Sequence, residues 1–355
     1  MTIPKDSTTV RRKGTHLDLC ADGDVEPTGN DTLLSDAHLV HCALPELALS
    51  EIDVSARFLG KRLTHPLIVT GMTGGSERAG QVNRDLASLA EEYGLGFGVG
   101  SQRAMDEDAA CAATFQVREV APTAVIIGNI GLTQAVQLGG DGLQRLADAI
   151  GADGMAVHLN PAQELTQPEG DRDFRGGYAM LETLAARFGE RLVVKETGCG
   201  LSPAVARRLV DCGVRTLDVS GLGGTSWVRV EQLRNRGVTA EVAATFTNWG
   251  IPTAAAVAAV RRAVADSVTV IASGGIRTGV DIAKCLALGA NLAGMALPLF
   301  RAQQQGGRGH AKHVLEVVLR GLAQALLLTG VASAQALRPQ HVMVTGQLKD
   351  WLGAL

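Results

Sequence analysis

From residue 66 onward, short apolar runs alternate along the chain with segments that have helical spacing. The runs are rich in Val, Ile, Leu and Ala and end in Gly, Ser, Asn or Lys. Because strands buried on both faces read as nearly continuous apolar runs, this pattern predicts a parallel sheet covered by helices. We interpret eight runs as strands: 66–74, 94–101, 124–131, 154–160, 192–198, 216–221, 268–275 and 291–297.

The segments between these runs carry apolar residues at the spacing of an amphipathic helix. The clearest are 82–92, 143–150, 204–210 and 280–288. Eight strand and helix units predict an α/β fold, a closed (β/α)8 TIM barrel, with an open doubly wound sheet as the alternative. Residues 311–328 are the longest helix candidate, which we expect to complete the outer ring.

Two connections are long, and both follow strands at what would be the carboxyl face. They are residues 160–178 after the fourth strand and 221–252 after the sixth. Barrels place their chemistry and their lids on this face. Trp227 in the second connection either shields a site from water or packs under the loop.

Residues 1–60 lack the repeat and are rich in polar residues and turn formers. We therefore divide the chain into an N-terminal extension, 1–60, and a barrel with a C-terminal helix, 61–355. The first residues lack the apolar core of a secretory signal, and no window of eighteen residues is uninterruptedly apolar. These features predict a cytoplasmic protein that does not bind membranes.

The composition and the net charge limit the classes of molecule that the protein can be expected to bind. Hydrophobic residues make up 46% of the chain and charged residues 19%, values typical of a globular protein. The net charge of −3 gives no global field for nucleic acid or an anionic membrane, so any anion site must be local. The six cysteines form no Cys-x-x-Cys pair, which favours buried thiols over zinc ligands or disulfides.

Polar residues terminate the predicted strands. The first strand ends in the glycine-rich turn 71–75, whose backbone can approach a flat ligand closely. The carboxyl ends of barrel strands meet at one mouth, so we predict a single polar ring there. Its members from strands two to six are Ser101, Asn129, His158 with Asn160, Lys195, and Ser220. Lys195 needs an anionic or polar partner, such as a cofactor ring that becomes negative on reduction.

The seventh strand runs into Ser273-Gly274-Gly275-Ile276-Arg277 and then into a predicted helix. Free amides at the amino end of a helix, together with its dipole, attract anions, and glycines allow close approach. The loops after strands seven and eight are the usual phosphate position of a barrel. We therefore predict a phosphate site in this loop.

A second set of residues suits a diphosphate. It comprises the basic run 11–16, Arg103 and His158, although a basic run near a terminus is often only solvated. Glu164 lies close behind His158 and Asn160. A single carboxylate suits magnesium, which takes its remaining ligands from water and a diphosphate.

Taken together, these segments resemble type 2 isopentenyl-diphosphate delta-isomerase, the flavin-dependent isomerase family of isoprenoid synthesis. The resemblance covers almost the whole chain, and its most specific motifs are Arg12-Lys13-x-x-His16 and His158-x-Asn160-x-x-Gln163-Glu164. The Ser-Gly-Gly-Ile-Arg loop also occurs in other FMN barrels. The remaining matches are 71–75, 100–103, 128–129, 195–196, 220–227 and 273–277.

The resemblance implies an FMN, a magnesium ion on Glu164, and a diphosphate substrate. It implies that the FMN phosphate contacts Gly275, Ile276, Arg277, Ala296 and Leu297. The ring would contact Met72, Thr73, Gly74, Ser101, Asn129, Lys195, Ser220 and Thr225. The substrate would contact Arg12, Lys13, His16, Ser101, Arg103, His158, Asn160 and Gln163.

The implied reaction converts isopentenyl diphosphate to dimethylallyl diphosphate by a 1,3-allylic proton shift. Reduced FMN would act as the acid–base agent, because an alkene is too weak a base for an ordinary side-chain acid. The implied catalytic residues are Lys195, which would stabilise negative charge on the reduced ring, Gln163, which would position substrate or water, and His158. NADPH is the implied reductant, and the implied assembly is a homo-oligomer, a tetramer or an octamer.

Two other classes of function compete with this interpretation. The first is a redox enzyme, either a hydroxy-acid oxidase or a nucleotide dehydrogenase. A hydroxy-acid oxidase on the same barrel would need a His and Arg pair after strand seven, where Arg277 has no preceding His. A nucleotide dehydrogenase would need a Cys after strand six, and the nearest, Cys212, precedes that strand. A non-catalytic barrel that keeps FMN for sensing is the second alternative, which turnover would distinguish.

Overall fold

The computed structural model describes residues 8–29 and 32–355 of the chain. Residues 1–7, the first part of the predicted N-terminal extension, lie outside the described residues. The strands are β1 (Ala37–Leu39), β2 (Ala56–Phe58), β3 (Lys61–Leu63), β4 (Leu67–Val69), β5 (Gly96–Gly98), β6 (Val125–Gly131), β7 (Gly154–Leu159), β8 (Leu192–Glu196), β9 (Thr216–Asp218), β10 (Thr269–Ala272), β11 (Leu292–Met295) and β12 (Val342–Val344).

The helices cover the outside of the sheet and both termini of the described chain. They are α1 (Thr8–Asp22), α2 (Glu77–Tyr93), α3 (Arg103–Glu107), α4 (Leu132–Ala149), α5 (Pro161–Thr166), α6 (Gly177–Phe188), α7 (Pro203–Asp211), α8 (Trp227–Arg234), α9 (Gly237–Thr245), α10 (Thr253–Ala263), α11 (Gly279–Ala287), α12 (Leu297–Leu328) and α13 (Gly346–Ala354).

Strands β4 to β11 form a closed parallel barrel, which confirms the predicted TIM barrel and excludes the open sheet. Each of the eight predicted strands contains one of them. The pattern predicted them because both faces are covered: all seven residues of β6 are buried. The four clearest helix predictions are also confirmed, in α2, α4, α7 and α11, and α12 packs against α2 and α11 in the outer ring.

The hairpin of β2 and β3 closes the amino end of the barrel. Phe58 and Leu63 are buried and belong to one apolar cluster with inward-facing strand residues such as Ile127 and Val193. Burial of this cluster removes apolar surface from water and fills the barrel interior. The predicted boundary between residues 60 and 61 lies at the turn of this hairpin.

The extension begins with a helix that the sequence did not predict. Helix α1 buries few apolar residues, including Leu17 and Cys20, so its hydrophobic pattern is weak. Tertiary contacts stabilise such helices. Here α1 packs on α8 and α12, and the Arg301 guanidinium donates to the carbonyls of Cys20 and Gly23, at 3.0 and 2.7 Å.

The two ends of the chain meet in a small sheet. Strand β1 of the extension pairs antiparallel with β12, so that Ala37 lies opposite Val344. All six cysteines are free thiols; Cys20, Cys111 and Cys285 are buried, and Cys42, Cys199 and Cys212 are partly buried. Through the described ranges, every helix is too short or too polar to cross a bilayer.

Candidate active site

Two connected clefts open at the carboxyl mouth of the barrel, with empty volumes of about 910 and 540 Å³. Gly71, Met72, Lys195, Thr197 and Trp227 line both clefts. The larger, which we name the clamp cleft, is also lined by Arg12, Lys13, His16, Thr73, Ser101, Arg103, Asn129, His158, Asn160, Gln163 and Glu164. The smaller, the glycine cleft, is also lined by Ser220, Thr225, Gly274, Gly275, Ile276, Arg277, Ala296 and Leu297.

The structure therefore brings together all but one of the residues that the sequence analysis selected. The exception is Gly74, which lines neither cleft. A Cβ atom at this position would lie 2.0 Å from the Phe115 ring, so the glycine permits close packing behind the cleft wall. Trp227 has the position of a wall, since it borders both clefts.

The glycine cleft offers backbone amides to an anion. The N–H groups of Gly274, Gly275 and Ile276 have no acceptor among the described residues. Gly274 and Gly275 adopt φ angles of 98° and 77°, which glycine tolerates and which turn successive amides toward one point. An oxyanion such as a phosphate would satisfy these donors.

The sequence also predicts that the free amino end of the next helix, α11, helps to bind the anion. This end is partly capped: Thr278 Oγ1 accepts from the Asp281 amide, and the Asp281 carboxylate accepts from the amides of Arg277 and Thr278. A capping box satisfies these three amides internally. The amides of Gly279 and Val280 in the first turn have no acceptor among the described residues, so the role of the helix end stays a prediction.

Thr253 is hydrogen-bonded to the loop 273–277, which lines the glycine cleft. It is fully buried, and its hydroxyl donates to the Gly274 carbonyl at 2.6 Å, while its amide donates to the Leu222 carbonyl at 3.1 Å. It therefore connects the loops that follow β9 and β10.

We expect Thr253→Val to lower the free energy of unfolding by about 1–2 kcal/mol, because the partly buried carbonyl of Gly274 loses its donor. If the loop binds the FMN phosphate that the resemblance implies, FMN affinity should also fall as the loop loosens. Urea unfolding measures the first effect and flavin titration the second. Thr183→Val, at an exposed threonine of α6, is the control and should change stability by less than about 0.5 kcal/mol; equal effects at both sites would contradict the assignment.

The contacts of His158 determine which nitrogen carries its proton. Its Nδ1 lies 2.8 Å from Asn129 Oδ1, and the Asn129 amide group donates to the Val99 carbonyl. Burial lowers the pKa of His158 to about 3, with the charges of Lys195 and Lys13 contributing, so the ring is neutral. Nδ1 then donates to Asn129, and Nε2 is left as an acceptor toward a proton-bearing ligand.

Two basic residues of α1 cover the clamp cleft. The Lys13 amine donates to the Ser101 carbonyl at 2.7 Å, and Arg12 donates to Gln167 Oε1 at 3.1 Å. Burial and the neighbouring Arg12 charge lower the pKa of Lys13 to about 7. Arg103, the other cation selected, lines the same cleft and pairs with Glu107 at 2.8 Å.

The sequence analysis missed Glu231, which fixes the histidine of the clamp. Glu231 is fully buried on α8; His16 Nε2 lies 2.9 Å from its Oε1, and Arg234 donates to its Oε2 at 2.7 Å. The ring of Trp227 lies 5.4 Å from that of His16. Burial lowers the pKa of His16, although the Glu231 carboxylate opposes this change. The sequence feature that could have pointed to Glu231 is its position four residues after Trp227, in the long connection next to the predicted barrel mouth.

The extension also reaches the glycine cleft. Glu26 forms ion pairs with Arg277 and, at 3.6 Å, with Arg301. Arg277 lines that cleft, so one segment of the extension contacts both clefts.

Glu164 is the carboxylate of the clamp cleft. It is 6% exposed; Asn160 donates to its Oε1 at 2.9 Å, and the Asp171 amide donates to its Oε2. In the described ranges, no three His, Cys, Asp or Glu side chains cluster as metal ligands. A metal ion at Glu164 would therefore need oxygens from its ligand and from water.

The chain is similar throughout its length to proteins of one activity. It is 44% identical over 351 residues to the isopentenyl-diphosphate delta-isomerase of Metallosphaera sedula, covering 97% of this chain and 94% of the relative. The protein of that name from Methanosarcina barkeri is 43% identical over 352 residues, 98% of this chain and 95% of the relative. Residues 155–344 match the family model of the FMN-dependent dehydrogenases.

Two solved structures share the fold at much lower sequence identity. A flavocytochrome b2 variant with sulfite bound aligns with a TM-score of 0.69 at 18% identity, covering 94% of this chain and 84% of the other. A mandelate oxidase variant with a monooxide FMN adduct gives 0.62 at 18% identity, covering 92% and 95%. These similarities establish the barrel fold.

Proposed function

Because the chain belongs to the FMN-dependent, type 2 isopentenyl-diphosphate delta-isomerase family, we propose that it converts isopentenyl diphosphate to dimethylallyl diphosphate. The observation that carries this proposal is the joining of two anion sites at Lys195, which borders both clefts. A flavin and a short diphosphate ester fit this arrangement. A substrate and its cofactor would then meet above the same lysine.

The glycine cleft suits FMN by its donors. Three backbone amides that have no acceptor among the described residues could donate to a phosphate, and Arg277, which is paired with Glu26, lines the same cleft. When bound in reduced form, FMN supplies a proton donor and acceptor of a strength that side chains do not reach for an alkene. We propose that Met72, Thr73, Ser101, Asn129, Ser220 and Thr225 border its ring.

The clamp cleft suits the diphosphate. Arg12, Lys13 and Arg103 supply positive charge, and the neutral His158 and the amide of Gln163 add hydrogen-bonding groups. We propose that Glu164 holds a Mg²⁺ ion on the diphosphate. Binding energy from this polar end would orient the short apolar tail toward Lys195, which reduces the entropic cost of reaction.

Three residues would act near the reacting carbons. Lys195, whose amine donates to the Glu196 carbonyl at 2.6 Å, would stabilise negative charge on the reduced ring. Gln163, 3.2 Å from Asn160, would position the substrate or a water. Trp227 would exclude water from a carbocation-like species.

The direct test is anaerobic turnover. With FMN, Mg²⁺ and NADPH or dithionite as reductant, isopentenyl diphosphate should become dimethylallyl diphosphate without stoichiometric consumption of reductant. Product is measured by chromatography of the released alcohols. Tight flavin binding without conversion, or oxidation of a hydroxy acid instead, would contradict the proposal.

Lys13 gives the reaction a predicted pH dependence. In the free enzyme its pKa is about 7, so above pH 7 the amine is neutral and loses its attraction for the diphosphate. We expect KM to rise between pH 7 and 9. In Lys13→Arg, whose guanidinium stays charged, KM should remain flat across this range. Steady-state kinetics over pH measure this, and parallel profiles for both proteins would contradict the prediction.

We also propose a homo-oligomer. The support is apolar surface on and beside α9, where Val238, Val242 and Trp249 are 75%, 47% and 63% exposed. Val242 and Trp249 line one largely apolar groove, and monomers rarely expose large apolar patches. Light scattering of the protein with and without Val238→Asp tests this: a wild-type monomer would contradict it.

A further inference from the structure

Asp218 is a buried carboxylate for which the proposed function has so far no role. It is the last residue of β9 and is 3% exposed. The Ser273 hydroxyl donates to its Oδ1 at 2.6 Å, and the Ser220 amide donates to the same oxygen at 3.2 Å. A carboxylate this deeply buried is costly unless it is paired.

Its neighbour across the barrel wall is Lys195. The register of β8 and β9 places Lys195 opposite Asp218, and that of β7 and β8 places His158 opposite Lys195. Residues in register on adjacent parallel strands point to the same face and lie about 5 Å apart. His158, Lys195 and Asp218 therefore form one row at the barrel mouth.

The row faces inward, beneath the proposed ring position. Lys195 and Asp218 both line a small cavity that also touches Asn129 and Gly71; of the two charged residues, Lys195 also lines the two clefts and Asp218 does not. Burial raises the pKa of Asp218, and the Lys195 charge opposes that rise. The two groups thus interact electrostatically where water is scarce.

We propose that Asp218 is a positioning residue that partly neutralises Lys195 and thereby limits how strongly this lysine stabilises negative charge on the flavin. The inference rests on the role proposed for Lys195. The physical reason is electrostatic. Without Asp218, the positive charge of Lys195 would stabilise the anionic flavin ring too strongly, and the ring would become a weaker base. With Asp218 in place, the ring keeps enough basicity to exchange protons with a carbon acid.

The test uses the holoenzyme with oxidised FMN and sulfite, which adds to the ring and leaves negative charge on it. Asp218→Asn preserves shape and removes the charge, so sulfite should bind about tenfold more tightly. The midpoint potential should rise by about 30 mV, the equivalent of tenfold for a two-electron couple. Asp218→Glu should restore values near wild type, and Asp211→Asn, at an exposed carboxylate of α7, should change neither.

Lys195→Met separates the two proposals, since it should weaken sulfite binding and lower the potential. If Lys195→Met has these effects and Asp218→Asn changes nothing, the inference is wrong while the role of Lys195 stands. If neither variant has an effect, the role of Lys195 fails and the inference fails with it. Asp218→Ser removes the same charge and replaces Asp218→Asn if the latter does not fold.

Discussion

Lys195→Met should lower kcat/KM for isopentenyl diphosphate by about 10²–10³-fold, the range found when one preorganised electrostatic contact is removed. Lys195 borders both clefts, so its charge acts where cofactor and substrate meet. Met keeps the length and the apolar stem of the side chain. The proposed phosphate site is formed by the amides of Gly274, Gly275 and Ile276 rather than by Lys195, so flavin content should stay near that of the wild type.

Flavin absorbance and anaerobic kinetics measure the two quantities. Lys349→Met, at an exposed lysine of α13, is the matched control and should retain full activity. A Lys195→Met protein with unchanged turnover would remove the central element of the proposed mechanism. A protein that has lost its flavin would show that the lysine acts in binding.

Glu164→Gln should lower activity about 10–100-fold at a fixed Mg²⁺ concentration and raise the Mg²⁺ concentration needed for half-maximal activity. It removes the carboxylate while keeping an oxygen for the Asn160 amide, which now bonds Glu164 at 2.9 Å. The neutral oxygen binds the cation less strongly, and such losses typically reach one to two orders of magnitude.

Titration of Mg²⁺ into metal-free enzyme measures the effect. Glu182→Gln on the exposed face of α6 is the control. If activity depends on Mg²⁺ concentration in the same way in Glu164→Gln and in the wild type, Glu164 does not hold the metal. Full activity in excess chelator would overturn the metal assignment itself.

The barrel could be predicted because its signal repeats. A parallel strand that is buried on both faces, such as β6, needs an apolar residue at nearly every position, whichever segments pack on it. Eight such runs with helices between them allow few folds. The residues at strand ends could be predicted for the same reason, since closure of the barrel brings all carboxyl ends to one mouth.

The parts that the sequence did not predict depend on contacts between distant segments. Helix α1 depends on Arg301 and on α8, which are far away in the chain. The role of Glu231 is visible only when His16 arrives beside it. The capping of α11 by Thr278 and Asp281 is local and could have been recognised, because Thr-x-x-Asp before an apolar run is a start signal.

The pairing of β1 with β12 has a consequence for biosynthesis. Residues 37–39 precede all eight barrel strands in the chain, and their partners, 342–344, follow all of them. The small sheet can therefore form only after every barrel strand has left the ribosome. Helix α1, which packs on α8 and α12, also depends on segments made much later, so the cover of the mouth assembles after the barrel that it covers.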